Sequence, residues 1–239
     1  MCIFSFPTRV SYDDIDQNRQ LTLKGAMGYM QEAAIIHSGM SGYSVDDVER
    51  THVCWMLVQW RAKMVGAAHW NDSVVVQTWP RTMERATSSR NFELLNANGE
   101  TVAIGESNWV LVNTDTGRIK RITPEIASAY TLHDRDLFTS PEPPVPTELG
   151  ILSCRSVVQR RDIDTNHHVN NRVYLDYARE ALPEELAAYP FKEVVVRYRQ
   201  QLLPGQPIQC FYHGENGVHT VHICGDHSGI IHCVVTFLV

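Results

Sequence analysis

The residues best suited to do chemistry lie in one short segment, Asp162-Ile-Asp-Thr-Asn-His-His-Val-Asn-Asn171. Within it, Asp164, Asn166 and His168 are spaced by two, so an extended backbone would point all three side chains to one side. A carboxylate, an amide and an imidazole on one face are the parts of a site that activates water. One of the two titratable groups would take a proton, and the amide would orient water or substrate. The segment therefore predicts a hydrolytic site.

Other interpretations of the same segment compete with this one. Asp and Asn before a helix often serve only as turn and cap residues. The pattern that begins at Asp162 starts like a calcium loop, but such a loop needs Gly and Glu where this chain has His167 and Val173. Adjacent histidines in an extended segment point apart, which argues against a metal site at His167-His168. Further histidines are scattered over predicted strands: His213, His219, His222, His227 and His232. We expect no metal and no cofactor, and the turn interpretation stays open.

An internal repeat helps to distinguish residues that only form a turn from residues that could be catalytic. Residues 13–33 align with residues 161–181 at a constant offset of 148. The matches are Asp14-Ile15-Asp16 with Asp162-Ile163-Asp164, Asn18 with Asn166, and Tyr29 with Tyr177. Gln20 stands where the second half has His168. The shared residues are therefore expected to hold a turn in both halves. Only the second half has an imidazole that can move protons near neutral pH.

Each half then reads as one helix followed by strands. In the first half, Leu23, Met27, Met30 and Ala34 recur at helical spacing. In the second half, we expect Asn171 to cap a helix that runs to about Leu182. Its free backbone N–H groups, near Asn171 and Arg172, could polarise a carbonyl oxygen.

The predicted strands are rich in Val, Trp, Phe and Thr. They cover 54–65, 73–79, 86–95 and 101–113 in the first half, and 193–203, 207–213, 218–224 and 229–238 in the second. Asn98-Gly99 marks a hairpin turn. A helix followed by antiparallel strands predicts an α+β fold, a long helix wrapped by a curved sheet, twice. Residues 139–150 carry four prolines and are interpreted as a linker between halves at 1–138 and 151–239.

Composition excludes several classes of function. The formal net charge of −6 argues against general nucleic-acid binding. No apolar run approaches the roughly 18 residues that span a bilayer, and the N-terminus lacks the features of a signal or transit peptide. We therefore expect a cytoplasmic protein that binds no membrane. The six cysteines form no C-x-x-C pair, so we expect reduced, buried thiols.

The chain resembles the plant and bacterial acyl-ACP thioesterases, which are tandem hot-dog proteins. Residues 162–174, Asp-Ile-Asp-Thr-Asn-His-His-Val-Asn-Asn-Arg-Val-Tyr, resemble the family signature Asp-Leu-Asp-x-Asn-x-His-Val-Asn-Asn-x-x-Tyr. Ser107-Asn-Trp-Val-Leu-Val112 resembles a second, weaker family pattern. The resemblance implies hydrolysis of a fatty acyl thioester on acyl carrier protein. It assigns catalytic roles to Asp164, Asn166 and His168 and places the acyl chain mainly in the first hot dog.

One departure from the family concerns the strand after the helix. Where the plant enzymes have Glu-Cys, this chain has Gln201-Leu202. Gln201 can hold water but cannot take its proton, and Leu202 supplies no nucleophilic thiol. The base is thus Asp164 or His168, with Gln201 as a further hydrogen-bonding residue of the site.

Substrate contacts are expected in both halves. Met27, Met30 and Trp55 are candidates for the acyl-chain pocket, and Asn171 and Arg172 for the thioester carbonyl. The expected partner is an acyl carrier protein, docked on arginines near the active segment, with a homodimer left open. Those arginines are Arg155, Arg160, Arg161 and Arg172. The rival functions are an acyl-CoA thioesterase of the same fold and a hot-dog protein that binds acyl groups without catalysis.

Overall fold

The first of two units, Met1–Thr139, is a helix with an antiparallel sheet. Its sheet has the strand order β1-β3-β4-β5-β2, with the short β6 paired to β5. The computed structural model describes residues 3–226 and 229–239 of the chain. The elements of this unit are β1 Phe4–Arg9, α1 Leu23–Met40, α2 Val48–Thr51, β2 Val53–Met64, β3 Ser73–Glu84, β4 Thr87–Asn96, β5 Thr101–Asn113, β6 Arg118–Ile119 and α3 Pro124–Ser128.

Helix α1 supplies the core of this unit. Thr22 caps it, because the Thr22 hydroxyl accepts a hydrogen bond from the Gly25 N–H at 3.0 Å. Ala26, Met30 and Ala33 are fully buried at helical spacing against the sheet. Gly42, in the left-handed region at φ +78°, follows the end of the helix. The helix predicted from the spacing of Leu23, Met27, Met30 and Ala34 is confirmed.

The second unit, Ser140–Val239, repeats this plan. Its sheet has the order β8-β11-β10-β9-β7, and α4 packs against β10 and β11. The elements are β7 Ile151–Val157, α4 Val173–Glu180, α5 Glu184–Ala187, β8 Glu193–Tyr198, β9 Pro207–Glu215, β10 Val218–Gly225 and β11 Ile231–Leu238. Short 3₁₀ turns lie at Tyr12–Asp14 and Val45–Asp47 in the first unit and at Arg160–Asp162 in the second. The predicted α+β class is confirmed.

Two predicted boundaries in the second unit are wrong. The helix begins at Val173 and not at Asn171, with Arg172 as its N-cap residue. The strand predicted over 193–203 ends at Tyr198. It ends there because the N–H groups of Arg199 and Gln200 both donate to the His232 carbonyl, at 2.9 and 3.1 Å, which breaks the regular ladder.

The proline-rich segment 139–150 forms no helix or strand. In the second unit it is held by Arg197, whose guanidinium donates to the Glu142 carboxylate at 2.7 Å and to the Pro143 carbonyl at 3.1 Å. The five cysteines in the described part of the chain are free thiols, and Cys2 lies outside the described residues.

Candidate active site

The segment from Asp162 to Asn170 is a closed turn. The Asp164 N–H donates to the His168 carbonyl at 2.9 Å, and the Asn170 N–H donates to the Asp162 carbonyl at 2.8 Å. His167 adopts a left-handed conformation with φ +64°. The prediction of an extended segment with three side chains on one face is therefore wrong. The chain reverses because the Asp164 carboxylate accepts the Asn166 N–H at 2.8 Å, which closes an Asx turn.

The turn nevertheless brings two of the three side chains together. Nδ1 of His168 lies 3.8 Å from Oδ1 of Asp164, and the two side chains are only 23% and 17% exposed. Asn166 is exposed, and its side chain has no hydrogen bond to any described residue. The pairing of Asp164 with His168 thus arises from chain reversal over four residues.

The neighbouring backbone selects one tautomer of His168. Its Nδ1 lies 3.2 Å from the Val169 carbonyl oxygen, which can only accept a hydrogen bond. Nδ1 therefore carries the proton, and Nε2 keeps its lone pair. Within residues 3–226 and 229–239, no group hydrogen-bonds to Nε2. The imidazole is thus oriented through Nδ1, and Nε2 is left without a hydrogen bond to any described residue.

Asp162 ties this turn to helix α4. Its Oδ2 accepts the Gln159 N–H at 2.8 Å and the Tyr177 hydroxyl at 2.6 Å. Burial, followed by the hydrogen bond to the Asp162 carboxylate, raises the pKa of Tyr177, so the hydroxyl stays a donor. The sequence interpretation missed this positioning pair. The repeat of Asp14 and Tyr29 at the same offset was the available signal.

The chain between the turn and α4 leaves one backbone donor open. The Arg172 N–H donates to the Asn170 side chain at 2.9 Å, so Asn170, and not the predicted Asn171, holds the start of the helix. The Asn171 carbonyl accepts the Tyr198 hydroxyl at 2.9 Å. Its own N–H has no acceptor among the described residues. This N–H is a free donor just before α4, whereas the N–H groups of Val173 and Leu175 already donate to the carbonyls of Asn170 and Arg172.

The segment that carries Gln201 lies directly beside this turn. The Val169 N–H donates to the Leu202 carbonyl at 3.0 Å. The buried His232 fixes the segment, since its Nδ1 lies 3.1 Å from the Gln201 carbonyl, which makes Nδ1 the donor. The Gln201 side chain is exposed, and in the described structure no hydrogen bond joins it to Asp164, Asn166 or His168.

The first unit contains the same turn without the imidazole. The Asp16 N–H donates to the Gln20 carbonyl at 2.9 Å, and Arg19 has φ +62°. The Asp16 carboxylate accepts the N–H groups of Asn18 at 2.8 Å and of Gln20 at 3.0 Å. The expectation that the shared Asp and Asn residues hold a turn in both halves is confirmed.

The three candidate pocket residues of the first unit differ in burial. Met27 and Met30 are fully buried. A Cβ added at Gly105 would lie 2.7 Å from the Met30 sulfur, so that side chain packs tightly against β5. Trp55 is half-buried, and its indole N–H donates to the Tyr130 hydroxyl at 3.1 Å. Trp55 lies in an aromatic cluster at one end of α1.

A buried polar pair lies beside this cluster. An Arg90 guanidinium nitrogen lies 2.9 Å from Nδ1 of His37 and 3.2 Å from the Thr78 hydroxyl. Because arginine only donates, Nδ1 of His37 must be unprotonated. Burial, with the Arg90 charge beside it, lowers the pKa of His37 to about 4. Burial lowers the pKa of Arg90 to about 10.

Two features are absent from the described residues. They contain no cluster of three or more His, Cys, Asp or Glu side chains placed to hold a metal ion. None of their helices combines the length and the apolar character needed to cross a bilayer. His227 lies outside the described residues.

Comparison with known proteins shows the family of this chain. The family model described as the acyl-ACP thioesterase N-terminal domain matches residues 3–130, and the C-terminal domain model matches residues 152–235. Oleoyl-acyl carrier protein thioesterase 2 of Arabidopsis thaliana is 26% identical over 214 residues, which cover 79% of this chain and 56% of that protein. The chain thus spans about half the length of the curated plant relatives that it matches.

Solved structures show the fold. An acyl-ACP thioesterase from Bacteroides thetaiotaomicron superposes with a TM-score of 0.88 at 18% identity, covering 99% of this chain and 97% of that one. The 12:0-ACP thioesterase from Umbellularia californica gives a TM-score of 0.79 at 18% identity, covering 100% and 98%. These likenesses confirm the predicted double hot-dog fold. With both domain models matched, the chain belongs to the acyl-ACP thioesterase family.

Proposed function

We propose that this protein hydrolyses fatty acyl thioesters of acyl carrier protein to free fatty acid and carrier. The observation that carries the proposal is the orientation of His168. Its Nδ1 faces Asp164 and the Val169 carbonyl, and its Nε2 has no hydrogen bond to a described residue. This is the arrangement that a general base needs. Family membership supports the substrate class, since the plant relatives are named as acyl carrier protein thioesterases.

In the proposed reaction, His168 is the base. Nε2 takes a proton from a water molecule, and the water oxygen attacks the thioester carbonyl carbon. The imidazolium that forms is stabilised by the Asp164 carboxylate, 3.8 Å from Nδ1. When the tetrahedral intermediate collapses, the C–S bond breaks and the leaving thiolate takes the proton back from Nε2. Asp164 is the weaker candidate for the base because it is already engaged by the Asn166 N–H.

The oxyanion is proposed to lie against the free N–H of Asn171, just before α4. A preorganised backbone donor of this kind contributes about 10²–10³-fold to the rate. Arg172, the N-cap residue of α4, would lie beside the same carbonyl. Asn166 and Gln201 are exposed and would orient water or the carrier's prosthetic arm through their amides.

The acyl chain is proposed to occupy the first half, at 1–138, while the chemistry belongs to the second, at 151–239. Met27, Met30 and Trp55 remain candidates for its lining. Each buried methylene contributes about 0.8 kcal/mol, so the size of one lining side chain can set the preferred chain length. The proposed setting is the cytoplasm, with acyl carrier protein as partner. A homodimer remains a prediction.

The test is a hydrolysis assay on acyl groups of graded length, attached either to carrier protein or to coenzyme A. We expect hydrolysis with a higher kcat/KM for the carrier substrates. A preference for coenzyme A would support the acyl-CoA rival. Acyl binding without hydrolysis of any thioester would support the non-catalytic rival.

Three variants test the residues. His168→Gln installs the residue that the first unit has at Gln20 and should lower kcat by about 10²–10⁴-fold. Asp164→Asn keeps an oxygen acceptor for the Asn166 N–H and removes the charge, so kcat should fall while the melting temperature holds. Asp16→Asn is the matched control, because Asp16 makes the same turn without an imidazole. If Asp16→Asn and Asp164→Asn lower kcat equally, the proposed site is wrong.

A further inference from the structure

A basic groove lies on the first unit, between the turn that follows β3 and the segment that follows β6. Arg85 and Arg121 both line it. The two segments are joined through the backbone, because the Ile122 N–H donates to the Arg85 carbonyl at 2.6 Å. Strand β6 fixes the rest of the segment by pairing Arg118 with Asn113 of β5. We name this feature the Arg85–Arg121 groove.

The floor of the groove is apolar. Its main hollow, of about 520 Å³, is lined between the two arginines by Met83, Ile122, Thr123, Pro124 and Ala127. A second hollow, of about 340 Å³, lies between the same arginines, Ala86 and Ile119. The Ile119 side chain is 70% exposed at its rim. The groove therefore offers a place for an apolar side chain flanked by guanidinium groups.

The cations around the groove have no salt-bridge partner among the described residues. Arg85, Arg118, Lys120 and Arg121 form no ion pair with any residue in the described part of the chain. The acidic neighbour on the β5–β6 turn, Asp115, is held by His52 at 3.0 Å. The whole chain carries a net charge of −6, but these four cations outnumber the neighbouring carboxylates of Glu84, Asp115 and Glu125.

We propose that the Arg85–Arg121 groove docks the acidic carrier protein that presents the thioester. The carrier would place carboxylates on Arg85, Arg118 and Arg121 and one apolar side chain in the hollow between them. The proposal rests on the proposed function, which requires the substrate to arrive on a carrier protein. It names a different docking surface from the arginines beside the active segment.

The chemistry of the groove favours a protein over a lipid surface. Three of the four cations are arginines, whose planar guanidinium pairs with a carboxylate through two parallel hydrogen bonds. Arginine, methionine and isoleucine around one hollow match the composition of the centre of protein interfaces, where lysine is depleted. A carrier steered by this patch would bind faster at low salt, in spite of the repulsion from the overall negative charge.

The test is charge reversal with matched controls. Arg85→Glu with Arg121→Glu should raise KM for carrier-linked substrate by about tenfold at low salt, because each exposed pair is worth up to about 1 kcal/mol. The KM for the same acyl group on coenzyme A should not change. Arg9→Glu with Lys192→Glu makes the same change in net charge at exposed positions elsewhere and should leave both KM values unchanged.

Salt provides a second readout. Raising the ionic strength should raise KM for carrier-linked substrate in the wild type and reduce the difference between wild type and the groove variant. Arg155→Glu with Arg160→Glu tests the patch predicted beside the active segment. A larger rise in KM from that pair than from the groove pair would overturn the proposal.

Two further results would also overturn it. One is an equal rise in KM for both substrates in the groove variant. The other is loss of binding to vesicles of anionic phospholipid with no change in KM. Failure of the proposed function itself looks different, because the wild type would then hydrolyse no carrier-linked substrate.

Discussion

The imidazole of His37 shows how strongly burial can constrain a single residue in this fold. It stacks on Phe4 with ring centroids 5.2 Å apart and accepts from the Arg90 guanidinium. Protonation would remove this hydrogen bond and place two cations side by side in the core. The pKa of His37 is accordingly lowered to about 4, and the free energy of unfolding should depend on pH through this group.

The sign of that dependence follows from the two states. The unfolded chain takes up the proton at about pH 6.5, and the folded protein at about pH 4. Between these values the unfolded state binds more protons, so stability falls as the pH falls. The contribution, on the order of 1–2 kcal/mol once solvent screening of this half-buried group is included, is complete above about pH 6.5 and is lost by about pH 4. Urea unfolding over this range measures it.

His37→Gln is the control for this prediction. Its amide oxygen can still accept from Arg90, but the side chain does not titrate. The slope of unfolding free energy against pH should therefore be shallower in His37→Gln than in the wild type. Equal slopes would show that His37 is not held neutral by the fold.

The candidate catalytic residues show what could and could not be predicted from sequence at this scale. The repeat correctly predicted that Asp16 and Asp164 hold a turn. The prediction from alternating side chains was wrong because it assumes an extended backbone. In the structure the Asp164 carboxylate accepts the Asn166 N–H, and the chain reverses. The tautomer of His168 depends on the position of the Val169 carbonyl, which cannot be predicted from the residue types.

At the scale of elements, the two helices start differently although the turns before them match. Helix α1 begins at Leu23, and the equivalent position in the second unit is Asn171, but α4 begins two residues later, at Val173. The difference arises at Gly25, whose equivalent in the second unit is Val173. A Cβ on Gly25 would lie 2.6 Å from the Asp14 Cβ, so only glycine allows this approach, and the second unit has Val173 there.

This contact predicts opposite effects for two substitutions in α1. Gly25→Ala should lower the free energy of unfolding by about 1–3 kcal/mol, because the methyl group meets Asp14 and its carbonyl oxygen at 2.9 Å. Gly39→Ala should raise it by up to about 1 kcal/mol, because the nearest atom, in Ser44, is 3.4 Å away. Chemical denaturation of both variants tests the prediction, and equal effects would contradict it.

Most strands were predictable because Val, Trp and Phe runs are bounded by turn residues such as Asn98-Gly99. The end of β8 was not, since it depends on two N–H groups that share the His232 carbonyl, a partner more than 30 residues away. The start of α4 was predicted wrongly for a similar reason. Asn170 and Asn171 are the same residue type, and only the folded chain shows that the Asn170 side chain accepts the N–H of the N-cap residue Arg172.

At the scale of the whole molecule, two copies of one turn have different surroundings. Gln20 is exposed and its backbone bridges His69, whereas His168 is half-buried beside the open N–H of Asn171. An imidazole at position 20 would be exposed to solvent, whereas only 23% of the His168 side chain is exposed. The chemistry should therefore depend on the unit in which the turn lies.

An exchange of the two residues tests this at constant composition and net charge. The double variant Gln20→His with His168→Gln contains the same turns and the same side chains as the wild type. We expect it to be as inactive as His168→Gln alone, with kcat lower by about 10²–10⁴-fold. Gln20→His alone should keep wild-type activity, which shows that the new histidine does no harm. Recovery of activity in the double variant would mean that either turn can support hydrolysis, and the assignment of catalysis to the second unit would then be wrong.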